Sequence, residues 1–292
     1  KDVRLEERLK LANNGSYQGS IDVGGRILAL KKDLVDDSTA DKVLEDTSNL
    51  AGKVSFESPV EQLVKSEGGK TEETRFGVRV EARQRVTLQK NARMKEEVTL
   101  KDNGGCQGYL DVAGQILALE KDLVDDSTAG KAIEDRDTKK AGKVSFEGTA
   151  EQRVKSEGGK TEETRFGAKV ETKQRVALEK GVCFEEQLKL ANNGSYLGSI
   201  DVAGQVLALK KDLVDDSTAL KAIEDRLIAT SPGKVSFEGP AEQWIRSESG
   251  KTEETRFGAK VEAKQRVTLQ KDVRLEEQLK LANNGSYLGS ID

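Results

Sequence analysis

The chain has 292 residues, 48 of them basic and 52 acidic, for a formal charge of −4. That balance lacks the basic excess or stripe of a nucleic-acid binder, and apolar runs as short as Ile27-Leu28-Ala29-Leu30 exclude a membrane-spanning helix. No histidine is present, which removes the commonest general base and the commonest metal ligand together.

Hydrophobic residues make up 35% of the chain, and Val, Ile and Leu recur throughout, so a packed core is expected rather than a disordered tract. The opening stretch KDVRLEERLKLANNGSYQGSID returns at the end as KDVRLEEQLKLANNGSYLGSID. Three further landmarks recur: Asp-Leu-Val-Asp-Asp-Ser-Thr-Ala from Asp33, Asp122 and Asp212, Lys-Val-Ser-Phe-Glu from Lys53, Lys143 and Lys234, and Thr-Glu-Glu-Thr-Arg-Phe-Gly from Thr71, Thr161 and Thr252. The spacing is 89 to 91 residues, so three copies run from Lys1 to Gln270 and 22 residues begin a fourth. Such periodicity is the signature of a repeat architecture.

Within a copy, turn chemistry divides the chain. Asn192-Asn193-Gly194-Ser195 separates two alternating runs, and Asn-Gly supplies the positive φ of a tight hairpin. Val202-Ala203-Gly204, or Val23-Gly24-Gly25 in the first copy, makes a second turn. Asp215-Asp216-Ser217 then resembles a helix N-cap, followed at helical spacing by Leu220, Ile223 and Leu227, which predicts a short linker helix. The period drifts only in the segments 47–51, 136–141 and 226–232, which are therefore exposed connectors. They set expected boundaries: 1–52, the C-terminal part of a module with its linker helix; 53–142 and 143–233, full modules; and 234–292, the N-terminal part of another.

The segment 66–70 turns the strand Gln62–Lys65 back into Thr74–Val80. From Phe257 the odd positions Phe257, Ala259, Val261, Ala263, Val267 and Leu269 are apolar and the even ones polar or Gly, a strand alternation. Gln265, Lys271 and Glu277 interrupt its apolar side and suggest bends or bulges. The count comes to about seven strands per copy. The fold expected is mainly β: tandem modules of about 90 residues, each an antiparallel sandwich or small barrel, in line like immunoglobulin-type stalks by analogy only. The alternative is a continuous β-solenoid, whose usual short period is not evident and which the helix would interrupt.

Four sets of residues are candidate sites. Asp33, Asp36 and Asp37 recur as Asp122, Asp125, Asp126 and Asp212, Asp215, Asp216; these are hard oxygen ligands for calcium, but their spacing matches no dedicated loop and helix capping explains them. Glu72-Glu73 and its copies read as a solvated charge cluster on an edge strand rather than a catalytic pair. Asn14, Asn193 and Asn284 head Asn-Gly-Ser acceptors for glycosylation. Cys106 stands where Tyr17 and Tyr196 do, and Cys183 where Arg4, Arg93 and Arg274 do, so both are incidental substitutions, with a bridge between neighbouring repeats the lesser reading.

No cofactor and no enzyme are expected. The function implied is a structural repeat protein forming an extracellular or cell-surface stalk, fibre or filament, its partners further copies or neighbouring modules of the same chain. The alternative is a multivalent adhesin for carbohydrate or another surface ligand, whose signature would be exposed aromatics recurring in every copy.

Overall fold

The computed structural model describes residues 1–69, 71–227, 232–284 and 287–292. Its construction unit is visible in the stretch after Gly77. Val78, Val80, Ala82, Gln84, Val86, Leu88, Lys90, Ala92 and Met94 are all buried, one at every second position. The chain forms three four-residue strands here, Arg79–Ala82, Arg85–Leu88 and Asn91–Met94, with two-residue corners between them. The next strand, Val98–Lys101, lies parallel to the first, with Val98 beside Val80. One coil therefore takes eighteen residues and presents three sides, a parallel β-solenoid.

Among the described residues there are three parallel sheets of twelve strands, one small antiparallel hairpin and no helix. Strands follow one another around the three sheets in strict rotation. The first sheet takes Val3–Leu5, Ile27–Leu30, Lys53–Phe56 and Arg79–Ala82, and the second takes Leu9–Ala12, Leu34–Asp37, Gln62–Lys65 and Arg85–Leu88. Ile21–Asp22, Leu44–Glu45, Glu73–Gly77 and Asn91–Met94 belong to the third. The chain divides into two compact units, Lys1–Val144 with Ser156–Thr161, and Ser145–Lys155 with Glu162–Asp292. Each is built of such coils, and in the second the eighteen-residue coil recurs where Phe166 pairs with Phe184 and Phe257 with Leu275.

The antiparallel sandwich is thus corrected to the parallel solenoid. Each copy holds eleven sheet strands rather than seven, counted from Lys53–Phe56 to Lys143–Phe146 and again to Lys234–Phe237. The turn after Lys65 is a corner, not a hairpin, because Gln62–Lys65 lies in the second sheet and Glu73–Gly77 in the third. Its last residue, Lys70, lies outside the described residues, as do residues 228–231 of the third connector.

The linker helix is absent for a local reason. Ser217 N donates to Asp215 Oδ1 at 3.2 Å and Ala219 N to Ser217 Oγ at 3.2 Å, so side chains take the amides that a helix would use. Ile223 is buried in the short strand Ile223–Glu224, while Leu220 and Leu227 are exposed, so their helical spacing marks no common face.

Since eleven is not a multiple of three, each copy places its segments one sheet along. Glu73–Gly77 lies in the third sheet, Glu163–Gly167 in the second and Glu254–Gly258 in the first. Three copies restore the phase: Val3–Leu5 and its counterpart Asp272–Leu275 both lie in the first sheet. One sequence therefore serves on all three sides.

Packing inside the coils is mainly aliphatic, with phenylalanines meeting both along one sheet and between sheets. Phe166 and Phe184 lie 5.2 Å apart between ring centres, and Phe146 and Phe166 6.2 Å. Each buried ring contributes about 2–3 kcal/mol by leaving water, with the pairings adding about 0.5–1.5 kcal/mol. Corners carry polar residues that reach inward. Gln62 Nε2 donates to the carbonyls of Leu30 at 3.1 Å and Lys32 at 2.7 Å, and its Oε1 accepts from Ser58 N and from Gln84 Nε2, each at 3.0 Å. Gln243 repeats these bonds with Leu209, Lys211, Gly239 and Gln265.

The glycine turns form as expected, with one exchange. Gly24 and Gly25 have φ of 57° and 73°, and in later copies Ala113 and Ala203 take the first place at 43° and 45°. Carboxylates hold these turns: Asp201 Oδ1 accepts from Ala203 N at 3.0 Å and Asp225 Oδ1 from Gly204 N at 2.8 Å.

Candidate functional site

The recurring aspartates separate into three structural roles. Asp33 Oδ1 accepts from Leu63 N at 3.0 Å while Oδ2 meets Lys65 at 2.9 Å, and Asp212 does the same for Trp244 N at 3.1 Å with Arg246 at 3.5 Å. Asp36 is fully buried, accepts from Thr74 Oγ1 at 2.7 Å and lies 3.1 Å from Lys90 Nζ. Asp215 repeats this with Thr255 at 2.7 Å and Lys271 at 3.5 Å, and Asp125 is likewise buried, accepting from Ser127 N at 3.3 Å.

The third aspartate organises the following corner. Asp37 Oδ1 accepts from Ser66 Oγ at 2.7 Å, Glu67 N at 2.8 Å and Gly68 N at 2.6 Å. Asp126 does so with Ser156, Glu157 and Gly158, and Asp216 with Ser247, Glu248 and Ser249. Burial alone would raise the Asp37 carboxyl, but the Gly68 amide, the Ser66 hydroxyl and Lys10 outweigh it and hold it well below the usual range. Each carboxylate is turned to its own partners, and among the described residues no group of three His, Cys, Asp or Glu side chains could hold a metal ion. Helix capping is replaced by strand and corner capping, since no helix follows.

The Thr-Glu-Glu-Thr-Arg segment bonds coil to coil. Thr71 Oγ1 accepts from Lys90 at 2.7 Å, and Glu73 holds Arg75 at 2.7 Å and Arg93 at 3.2 Å. Arg75 reaches Asp41 at 2.8 Å. The strand carrying Glu73 has neighbours on both sides, Leu44–Glu45 and Asn91–Met94, so it is no edge strand. Glu72 remains exposed.

Asn14, Asn193 and Asn284 are exposed, and each pairs antiparallel with the tyrosine three residues on, Tyr17, Tyr196 and Tyr287. Gly15 and Gly194, at φ of 60° and 61°, supply the left-handed residue, so glycine rather than asparagine carries the unusual conformation. Gly285 and Ser286 of the last acceptor lie outside the described residues. Both cysteines are free thiols, which corrects the bridged alternative. Cys183 is buried and its thiol is pushed up to about 11 by that burial. Cys106 Sγ lies 3.6 Å from the Pro59 carbonyl.

One concave site in the second unit combines features that lie far apart in sequence. Its floor is three successive strands of the first sheet, Arg175–Leu178, Ser199–Asp201 and Ile223–Glu224, with Arg175 beside Ser199 and Asp201 beside Glu224. The hairpin Asn192–Leu197 supplies Tyr196 and Leu197 to one wall, and the loop before Ile223 supplies Leu220 and Lys221. The cleft holds about 480 Å³. Glu224 Oε1 meets both Arg175 Nη2 at 2.7 Å and Arg226 Nε at 2.9 Å. Burial raises the Glu224 carboxyl despite Arg175. Arg175 Nη1 lies 3.8 Å from Glu151, and Lys221 is held by Glu276 at 2.8 Å. The sequence marked Tyr196 as recurring, but Arg175 and Leu220 lie one coil before and one coil after it, and only the coil spacing brings them together.

No protein-family description, no curated protein and no solved structure matches this chain.

Proposed function

We propose that the chain is a structural repeat protein, a load-bearing element of an extracellular stalk or fibre. The observation that carries this reading is that polar residues repeated unchanged in all three copies, Thr71, Glu73, Thr74 and Arg75 among them, are engaged in bonds between coils. Their repetition is accounted for by assembly of the stack and needs no ligand. Parallel ladders on three sides, corner aspartates and coil-spanning lysines together resist unravelling. Charged outward positions support solubility of such a repetitive object.

Immunogold labelling of intact cells from the native source, with antibody to this chain, tests the assignment. Dense label on the outer surface is the expected result. Label that appears only after permeabilisation would remove the extracellular reading. Pulling single molecules by atomic force microscopy tests the mechanical part, with stepwise rupture expected coil by coil.

A further inference from the structure

We propose that the cleft between Tyr196, Arg175 and Leu220 binds a neutral saccharide. This does not rest on the scaffold reading, since a stalk can be built with or without it. The cleft of about 480 Å³ is large enough for one or two sugar rings. Its charges are already paired internally: Arg175 and Arg226 sit on Glu224, and Lys221 on Glu276. An anionic ligand would meet the Glu224 and Glu151 carboxylates and a cationic one the Arg175 and Arg226 guanidinium groups, whereas an uncharged polyol meets no such repulsion.

Polar valences nevertheless remain for hydroxyl groups. Both guanidinium contacts to Glu224 use Oε1, which leaves Oε2 as an acceptor. Arg175 Nη1 is beyond hydrogen-bond distance of Glu151 at 3.8 Å and keeps donors to offer. Adjacent sugar hydroxyls match this donor–acceptor pair, one accepting from Arg175 and the other donating to Glu224. The half-buried Tyr196 ring provides a flat face for the C–H side of the sugar. Leu197 and Leu220, 38% and 73% exposed, supply apolar rims that a bound ring would cover.

The second copy supplies its own negative control. Cys106 and Gly130 stand there in the places of Tyr196 and Leu220. Tyr196→Cys and Leu220→Gly therefore introduce residues that this fold already accommodates.

Saturation-transfer-difference NMR of the 292-residue chain with glucose, galactose, mannose and N-acetylglucosamine tests the proposal. Transfer to at least one of them is expected, with affinity falling about tenfold in Tyr196→Cys and Leu220→Gly while the circular dichroism stays unchanged. Inorganic phosphate should fail to displace the sugar. No transfer to any of the four sugars would overturn the assignment, as would transfer unchanged in both variants or displacement by phosphate. If one variant fails to fold, the other decides.

Discussion

Replacing Lys90 by Met should be among the most damaging single substitutions in the first unit. Lys90 is 6% exposed, and its ammonium lies 3.1 Å from Asp36 Oδ2, 3.3 Å from the Asp36 carbonyl and 2.7 Å from Thr71 Oγ1. Asp36 belongs to one coil, Thr71 to the next and Lys90 to the one after, so a single side chain ties three coils at one corner. Lys90→Met preserves much of the stem volume but strands a carboxylate with no solvent exposure. Breaking a buried pair in this way costs about 3–5 kcal/mol, because the remaining charge has lost its counter-ion and has no water in its place. Thr74 Oγ1 and Ser38 N still donate to Asp36, which places the expected loss near the lower end, about 3 kcal/mol. Asp36→Asn should cost a similar amount, while the double variant should lose about 2 kcal/mol less than the two singles together, since it leaves no unpaired charge. Hydrogen exchange at the amides of Glu73–Gly77, supported by urea midpoints, measures each loss. Additive single effects, or a loss below about 1 kcal/mol for Lys90→Met, would refute the claim that this pair fastens the coils.

Three further outcomes follow from other features. Ala203→Gly should raise the thermal midpoint, with a gain of about 0.5–1 kcal/mol, because Ala203 holds φ of 45° where the first copy has Gly24; Gly24→Ala should lower it by a similar amount. Excision of residues 53–142 removes eleven strands and joins Gly52 to Lys143, recreating the sequence Ala-Gly-Lys-Val-Ser-Phe, so circular dichroism should show a folded chain; loss of cooperative unfolding would mean that the sides are not interchangeable. Lys234 and Lys280 hold the Glu262 carboxyl at about 2 against an ordinary 4.5, so its stabilisation is fully present above 4.5 and lost as pH falls toward 2. In Glu262→Gln that acid-dependent component should be missing from midpoints recorded between those two values, and an unchanged acid limb would contradict the assignment.

The strand alternation from Phe257 to Leu269 was legible in the sequence, as were the hairpin glycines and the turn at Val202-Ala203-Gly204. The solenoid was also written there, in residues taken for irregularities. Gln265, Lys271 and Glu277 fall six positions apart, and each stands at a corner between strands such as Lys260–Ala263, Arg266–Leu269 and Asp272–Leu275. Six residues is one side of the eighteen-residue coil. Two of the three are then inward polar groups with partners, Gln265 on Gln243 and Lys271 on Asp215 and Thr252. The longer coils hid the period: Leu44 pairs with Phe76 across a span that includes the connector and the corner after Lys65. Loop insertions of different length leave strand spacing in space unchanged while destroying it along the chain. The aspartates misled for a related reason, because Asp-Asp-Ser caps amides equally well at a helix start and at a solenoid corner. The cleft at Tyr196 could not be read at all without knowing which strands become neighbours.

The mismatch between copy and coil constrains what this sequence can do. Were the repeat nine or twelve strands long, each segment would meet only one sheet, and a side could specialise. With eleven, the strand Glu-Thr-Arg-Phe-Gly appears in the third, second and first sheets in turn. Every segment must therefore pack equally well on any side, which favours four-residue strands with the same inward volume and corners closed by self-contained hydrogen bonds. Gln62 with Ser58 and Gln243 with Gly239 meet that requirement, since each corner satisfies its own amide whichever sheet it joins. The same rotation denies any sheet a continuous ladder of one surface segment. Binding, where it occurs, must then arise where the copies differ, which is the situation of Leu220, standing where the other copies have Asp41 and Gly130, beside the recurring Tyr196 that Cys106 replaces in the second copy.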